Sequence, residues 1–240
     1  MSLITKLMKS SMGKFKSCSV VIAAAGASER MGGEDKLFLE IHGAPVLAHS
    51  LMAFQNCNSI DEIVVVAGND HLSRIGEICK HYGIGKASKI MLGGATRLES
   101  VINGVFAVSN KSQLIAIHDG ARPCNSEAVI MKAITAATKY HAAAPSVPVS
   151  STLKKAENGT VLETISRDNL FEIQTPQVFT AELIKAALTN AQRKSLDVTD
   201  DCMAVELIGF PVHITDGSRT NIKLTTKEDI FLIDAILKGS

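Results

Sequence analysis

No apolar run in this chain approaches the roughly 20 consecutive residues a helix needs to cross a bilayer, so no membrane partner is expected. Charge of one sign is not in excess either. The 25 Lys and Arg nearly balance 24 Asp and Glu, for a formal net charge of +1, which gives no reason to expect nucleic acid as a partner. The five cysteines (Cys18, Cys57, Cys79, Cys124 and Cys202) include no pair at C-x-x-C spacing, which removes the usual zinc and thioredoxin-type readings. An odd count without a secretory signal predicts free thiols in a reducing, cytoplasmic compartment. G-x-S-x-G and H-E-x-x-H are both missing, so hydrolase chemistry has no support. There is no internal repeat and no low-complexity tract. What remains is a 240-residue chain, 46% apolar and 20% charged, long enough to bury one sizeable core.

The first 17 residues are basic and serine-rich with no acid. A transit peptide has that composition but is usually longer, and a disordered start or an appended remnant is the plainer expectation. From residue 18 to 240 a single domain is expected. Apolar, β-branched runs ("CSVVIAAAG", "EIVVVAG", "SKIML", "LIAIHDG") alternate with helix-period segments ("PVLAHSLMAFQN", "HLSRIGEICKHY", "TRLESVINGVFAVS", "SEAVIMKAITAATKY"). That order predicts an α/β fold with a mostly parallel, doubly wound, Rossmann-like sheet. Strands apolar on every residue agree, because strands covered on both faces lose the in-out alternation. After "AAAPSVPV" the pattern breaks. "SSTLKKAENGTVLETISR" is polar and carries Asn158-Gly159 between two β-type runs, the strongest short-range hairpin signal. A two-stranded ribbon is marginal alone, so this projecting arm, at about 150–170, needs a partner surface. The chain closes with helix ("AELIKAALTNAQ"), strand ("PVHIT") and helix ("KEDIFLIDAIL").

The stretch "AAAGASERMGGEDKLF" after the first strand invites a phosphate reading. It is not a Walker A loop, because no G-K-[ST] follows, and not G-x-G-x-x-G, because after Gly26 the next glycines are Gly32 and Gly33. Small residues Ala24, Ala25 and Gly26 at a strand's carboxyl end do admit a ligand close to the backbone. Arg30 and Lys36 follow, which suits a triphosphate. A tight turn with solvated charges is the alternative the loop alone leaves open.

Further stretches run in order: "GGATRLESV", "HDGARP", "STLKKA", "ISRDNLFEIQTPQVF", "VTDDCMAVE" and "GSRTNIKLTTKEDI". With the opening loop they resemble the 2-C-methyl-D-erythritol 4-phosphate cytidylyltransferase family, from residue 18 to about 236. Two departures stand out: the Arg30–Lys36 loop is one residue shorter than usual, with Asp35 where proline often precedes the lysine, and Phe171 stands where tryptophan is common.

The resemblance implies a nucleotidyltransferase that joins CTP to methylerythritol phosphate with release of pyrophosphate. It implies Arg30 and Lys36 on the triphosphate and Arg167 and Lys223 on the acceptor phosphate as catalytic cations. Ala24, Ala25, Gly26, Gly94, Ala95, Arg97 and Ser100 would hold the nucleotide, and Asp119, Arg122, Thr152, Thr175 and Thr199 the acceptor. Magnesium is the implied cofactor, with Asp119 its nearest carboxylate, and a homodimer is implied in which the arm reaches the partner's site. A bacterial cytoplasm is the expected location, a plastid the alternative. Each threonine has a plain reading as a strand or cap residue. His118 reads as structural, since the chemistry needs no base, and Asp200-Asp201 as helix-start acids. Ribitol 5-phosphate cytidylyltransferase and a non-catalytic nucleotide-binding protein are the alternatives weighed.

Overall fold

A computed structural model describes residues 17–26 and 35–239. Its strands are β1 (Cys18–Ala24), β2 (Glu40–Ile41), β3 (Ala44–Pro45), β4 (Glu62–Ala67), β5 (Ala87–Leu92) and β6 (Leu114–Asp119) in the first half. The second half adds β7 (Ala142–Pro148), β8 (Leu153–Glu157), β9 (Thr160–Ile165), β10 (Phe171–Ile173), β11 (Gln177–Thr180) and β12 (His213–Asp216). The helices are α1 (Val46–Gln55), α2 (Leu72–His81), α3 (Arg97–Ala107), α4 (Glu127–Tyr140), α5 (Ala181–Arg193), α6 (Asp201–Glu206) and α7 (Lys227–Lys238).

β1 pairs in parallel with β4 on one side and β6 on the other, and β5 extends the β4 side. The chain therefore leaves β1 in one direction and returns to its other flank, making β1 the switch point of the sheet. In the second half the sheet turns mixed. β11 is antiparallel to both β6 and β7, β10 is antiparallel to β7, and β12 is parallel to β7. β12 meets the same residues of β7, Ala143 and Ser146, that β11 and β10 meet, so it lies on the opposite edge. β10 and β11 thus form one interrupted line along β7, broken at Gln174–Pro176. The expected mostly parallel sheet holds around β1, and the antiparallel insertion is what the strand-helix alternation did not announce. β11 is only four residues long.

Alternate residues of the central strands feed two separate cores. Val20, Ile22, Ile63 and Val65 lie in the cluster under α1, α2 and α4, while Val21, Val64, Val66 and Ile117 lie in the cluster under α3 and α5. Both faces are covered, so the middle of each central strand is apolar on both sides. On the second face α3 comes close to the sheet at Gly104, where a Cβ would sit 2.4 Å from Val21 Cγ1 and 2.7 Å from Val66 Cγ2. Helix starts follow their side chains: Thr96 caps α3, Ser126 caps α4, and Thr226 with Asp229 forms a capping box on α7.

β8 and β9 form a two-stranded sheet of their own, closed at Asn158-Gly159, both in the left-handed region (φ 50° and 78°). This is the two-residue hairpin the sequence predicts. A bulge interrupts it where Lys155 faces Glu163 but Ala156 faces Val161. Val161 and Leu162 are more than half exposed (57% and 56%), as expected of an arm in need of a partner surface. Among the described residues no helix is long and apolar enough to cross a membrane.

Candidate active site

The carboxyl ends of β1 and β6 and the loop after β5 border a cavity of about 370 Å³, at the switch point where open α/β sheets take ligands. Its walls bring together much of the sequence-predicted set: Ala24, Ala25, Gly26, Lys36, Gly94, Ala95, Arg97, Ser100, Asp119 and Lys223. Among the described residues nothing lies within 4 Å of a Cβ built on Gly26. Arg30 lies outside the described residues.

Lys36 begins a short 3-10 turn, Lys36–Phe38. Asp35, the residue that departs from the family pattern, holds this turn: its Oδ1 accepts from Leu37 N at 3.0 Å, and Oδ2 meets His71 Nε2 at 3.1 Å. His71 in turn sits edge-on to Phe38, and the Arg74 guanidinium lies over the same ring. An acidic cap thus does by hydrogen bonding what a proline would do by restricting φ.

The β5–α3 loop is held by its own side chains. Gly94 N donates to Ser100 Oγ at 3.1 Å, and Ser100 Oγ donates to Thr96 O at 2.9 Å. Ala95 N donates to Glu99 Oε2 at 2.7 Å, and Glu99 N to Thr96 Oγ1 at 3.1 Å. Ser100 and the two amides, expected to hold the nucleotide, are therefore engaged by one another and by α3, and what the loop can offer a ligand is chiefly carbonyl oxygen. Gly94 is also needed for packing, since a Cβ there would fall 2.2 Å from Glu99 Cβ.

Asp119 is the electrostatic centre. Arg122 Nε and Lys223 Nζ meet the same carboxylate oxygen, Oδ2, at 3.2 and 3.0 Å. Burial alone would raise this carboxyl, but the Lys223 and Arg122 charges overcome it and hold it at about 2. Beneath it, His118 is fully buried, and desolvation holds the imidazole down at about 4, neutral at physiological pH. Thr175 Oγ1 accepts from Asp119 N at 3.2 Å and stands 3.0 Å from His118 Nδ1. The other ring nitrogen, Nε2, faces the Arg122 carbonyl, which can only accept, so Nδ1 is left without a hydrogen and takes the Thr175 hydroxyl proton. His118 then carries its hydrogen on Nε2, which donates to Arg122 O at 3.3 Å. Thr175 is thus committed to the scaffold, where the sequence reading had it available to substrate, and His118 is structural as expected.

Arg97 lines the cavity, yet both its terminal nitrogens go to Asp201, at 3.1 and 2.7 Å. Burial pushes the Asp201 carboxyl up against the pull of Arg97, and Asp201 is 1% exposed. Asp200 and Asp201 are the helix-start acids the sequence suggested, Asp200 accepting from Met203 N as the cap and Asp201 in the first turn, where it also pairs with Arg97.

Of the nominated residues that are described, Arg122, Thr152, Arg167, Thr175 and Thr199 do not line the cavity. Arg167 lies at the base of the arm, exposed, with Nη1 donating to Ser150 O. Thr152 is exposed at the start of the arm, and Thr199 precedes α6 with its hydroxyl 3.6 Å from Met203 Sδ. Arg122 lines a neighbouring hollow with Arg219, Asn221 and Lys223. Arg219, whose Nη2 donates to Pro148 O at 3.0 Å, and Asn221 were not singled out from the sequence, and only the surrounding motif marked them.

Residues 18–239 match the family described as 2-C-methyl-D-erythritol 4-phosphate cytidylyltransferase (IspD). The chain belongs to this family. A cytidylyltransferase of that name from Halalkalibacterium halodurans is 43% identical over 220 residues, covering 91% of this chain and 96% of that protein. Another, from Alkaliphilus oremlandii, is 39% identical over 230 residues, covering 95% and 98%. Among solved structures, the 4-diphosphocytidyl-2C-methyl-D-erythritol synthase of Anaerococcus prevotii superposes with a TM-score of 0.81 at 32% identity, covering 93% and 96%. The Thermus thermophilus cytidylyltransferase gives 0.78 at 31% identity, covering 91% and 98%. As members of one family with this chain, these proteins share its mixed sheet and flanking helices, and the family's chemistry is nucleotidyl transfer.

Proposed function

We propose that the chain transfers the cytidylyl group of CTP to 2-C-methyl-D-erythritol 4-phosphate, forming 4-diphosphocytidyl-2-C-methyl-D-erythritol and pyrophosphate for isoprenoid precursor biosynthesis. The observation that carries this is one cavity at the β1 switch point that presents Lys36, Lys223 and Asp119 together in a chain of this family.

A phosphate-monoester oxygen attacks the α-phosphorus of CTP, a new P–O–P bridge forms, and the bond to the β-phosphate oxygen breaks. That nucleophile is already ionised near neutral pH, so no base is required, which agrees with a neutral, fully buried His118. The obstacle is repulsion between anions, about 4 kcal/mol per pair of unit charges at 4 Å and an effective dielectric near 20. Lys36 and Arg30 neutralise the triphosphate, and Lys223 holds the acceptor phosphate in line. Asp119 keeps Lys223 in place before substrate arrives.

Among the described residues no three His, Cys, Asp or Glu side chains cluster as an all-protein metal cage. One ionised carboxylate beside a phosphate site is, however, the donor set that suits magnesium, which binds through one or two carboxylates, waters and phosphate oxygens. Asp119 fits that role, and magnesium, when bound, would neutralise charge on the phosphates.

The exposed apolar face of the β8–β9 arm supports a homodimer in which the arm reaches the partner and brings Arg167, Thr152 or both to the other site. A cytoplasmic location follows from this reading of the pathway step. The test is pyrophosphate release by purified protein with CTP and magnesium, using methylerythritol phosphate or ribitol 5-phosphate as acceptor. The first acceptor should be preferred by a wide margin, and ATP or GTP should fail to replace CTP. The reverse acceptor ranking would overturn the assignment.

A further inference from the structure

The break between β10 and β11 and the residue that opens β11 hold three buried polar side chains outside the switch-point cavity. Thr175 bonds directly to Asp119 in its wall, while Gln174, which borders the Arg122–Lys223 hollow, and Gln177 reach lining residues through intermediates. Gln174 is 7% exposed, Thr175 4% and Gln177 2%. Gln174 Nε2 donates to Ser218 O at 2.7 Å, and its Oε1 accepts from Ser218 N at 3.2 Å. Asn221, 1% exposed, donates through Nδ2 to Thr175 O at 2.9 Å, while its own carbonyl accepts from Arg122 Nη1 at 2.8 Å. These bonds hold the loop 217–222, and two residues beyond Asn221 stands Lys223. The fit is close: a Cβ on Gly217 would fall 2.4 Å from Gln174 Oε1.

Gln177 faces the other way. Its Oε1 accepts from the backbone N of Asp201 at 3.0 Å and of Cys202 at 2.9 Å, and its Nε2 donates to Asp200 Oδ2 at 2.8 Å. With Asp200 accepting from Met203 N at 2.9 Å, the first three amides of α6 all have partners. That fixes where Asp201 stands, and Asp201 holds both arms of the Arg97 fork. Between the two glutamines, Thr175 holds the Asp119 amide.

We propose that Gln174–Gln177 is a positioning frame for nucleotidyl transfer, in which Gln174 and Asn221 set Lys223 and Gln177 sets Arg97 by way of Asp201. In this role they act through the side chains they place. The two ends of the frame serve different substrates, because Lys223 faces the acceptor and Arg97 flanks the nucleotide loop. This division rests on the proposed function; the contacts themselves do not.

The polarity of the Gln177–Asp200 bond supplies the test. Gln177→Glu keeps the acceptor for the α6 amides but sets a carboxylate against Asp200. Adding Asp200→Asn restores the bond with donor and acceptor exchanged, keeps an oxygen for Met203 N and leaves the net charge unchanged. Without any ligand, the NMR signal of the Arg97 Nε–H should shift or broaden in Gln177→Glu and return in the double variant. Isothermal titration with CTP should show Kd raised roughly tenfold in the single variant, the scale of one lost buried hydrogen bond, and recovered in the double. Gln174→Met should lower kcat/KM for methylerythritol phosphate by roughly tenfold or more and raise the CTP Kd less. An unmoved Arg97 signal in folded Gln177→Glu, no recovery in the double variant, or equal losses for both substrates from either end would overturn the frame. Failure of the wild type to turn over methylerythritol phosphate would instead count against the proposed function, and the Arg97 signal would still decide the frame.

Discussion

Lowering the pH from 7 to 5 should destabilise this protein through His118 in particular. The ring is fully buried, and desolvation holds it at about 4 in the folded chain against about 6.5 when exposed. Between those values the unfolded chain binds a proton that the folded chain refuses, so stability is full above about pH 6.5 and is lost as pH falls toward 4. At pH 5 nearly every unfolded chain carries the proton and about a tenth of folded chains would, which corresponds to roughly 2 kcal/mol less stability than at pH 7. The tautomer adds a structural reason: protonating Nδ1 would set a donor against the Thr175 hydroxyl, which now donates to it and accepts from Asp119 N. Urea unfolding at both pH values, for wild type and His118→Asn, isolates this contribution from the other six histidines. The variant should lose roughly 2 kcal/mol less than wild type between pH 7 and 5. Equal losses in the two proteins would refute the assignment of a neutral, desolvated ring.

Lys36→Ala should lower turnover by about 10²-fold or more, the usual cost of one preorganised transition-state contact, in a steady-state assay with saturating acceptor; near-normal turnover would mean the Asp35-capped turn holds the lysine away from the phosphates. Gly104→Ala should destabilise the fold by roughly 1–3 kcal/mol through overpacking against Val21 and Val66, and Val21→Ala in the same chain should recover part of the loss in thermal unfolding. Mixing Lys36→Ala with Arg167→Ala chains should restore activity at about a quarter of sites if the arm carries Arg167 to the partner, because half the dimers are mixed and each has one intact site. No recovery after verified subunit exchange would place both residues in one chain's site.

The parts of the fold that the sequence announced are those where one physical signal dominates. Uninterrupted apolar runs such as 63–67 in β4 declared a sheet covered on both faces, and Asn158-Gly159 declared the arm. The pocket wall was legible because small residues at the end of β1 have few other reasons to follow a buried strand. Hydrogen-bond direction was not legible. Ser100 and Thr175 carry hydroxyls suited to a ligand, and only the three-dimensional arrangement shows Ser100 tied to Thr96 and Gly94, and Thr175 to His118 and Asp119. Arg97 looked like one more cation, while its partner Asp201 lies 104 residues away. Such pairings depend on long-range register, which local periodicity does not encode. The antiparallel entry of β11 was hidden for a related reason: four residues inside a polar motif carry too little pattern to assign a strand.

The sheet that divides the two apolar clusters also sorts the protein's tolerance of mutation. Val64 and Val65 are joined by a peptide bond but face opposite cores, whereas Val65 and Ile22 come from different strands and share one. Truncating Val64 and Val65 together should give nearly the sum of the separate losses, since the cavities open into different surroundings. Truncating Val65 and Ile22 should not, because the second change acts on packing the first has already loosened. Chain neighbours are therefore free to vary independently, and residues 43 positions apart have to vary in concert.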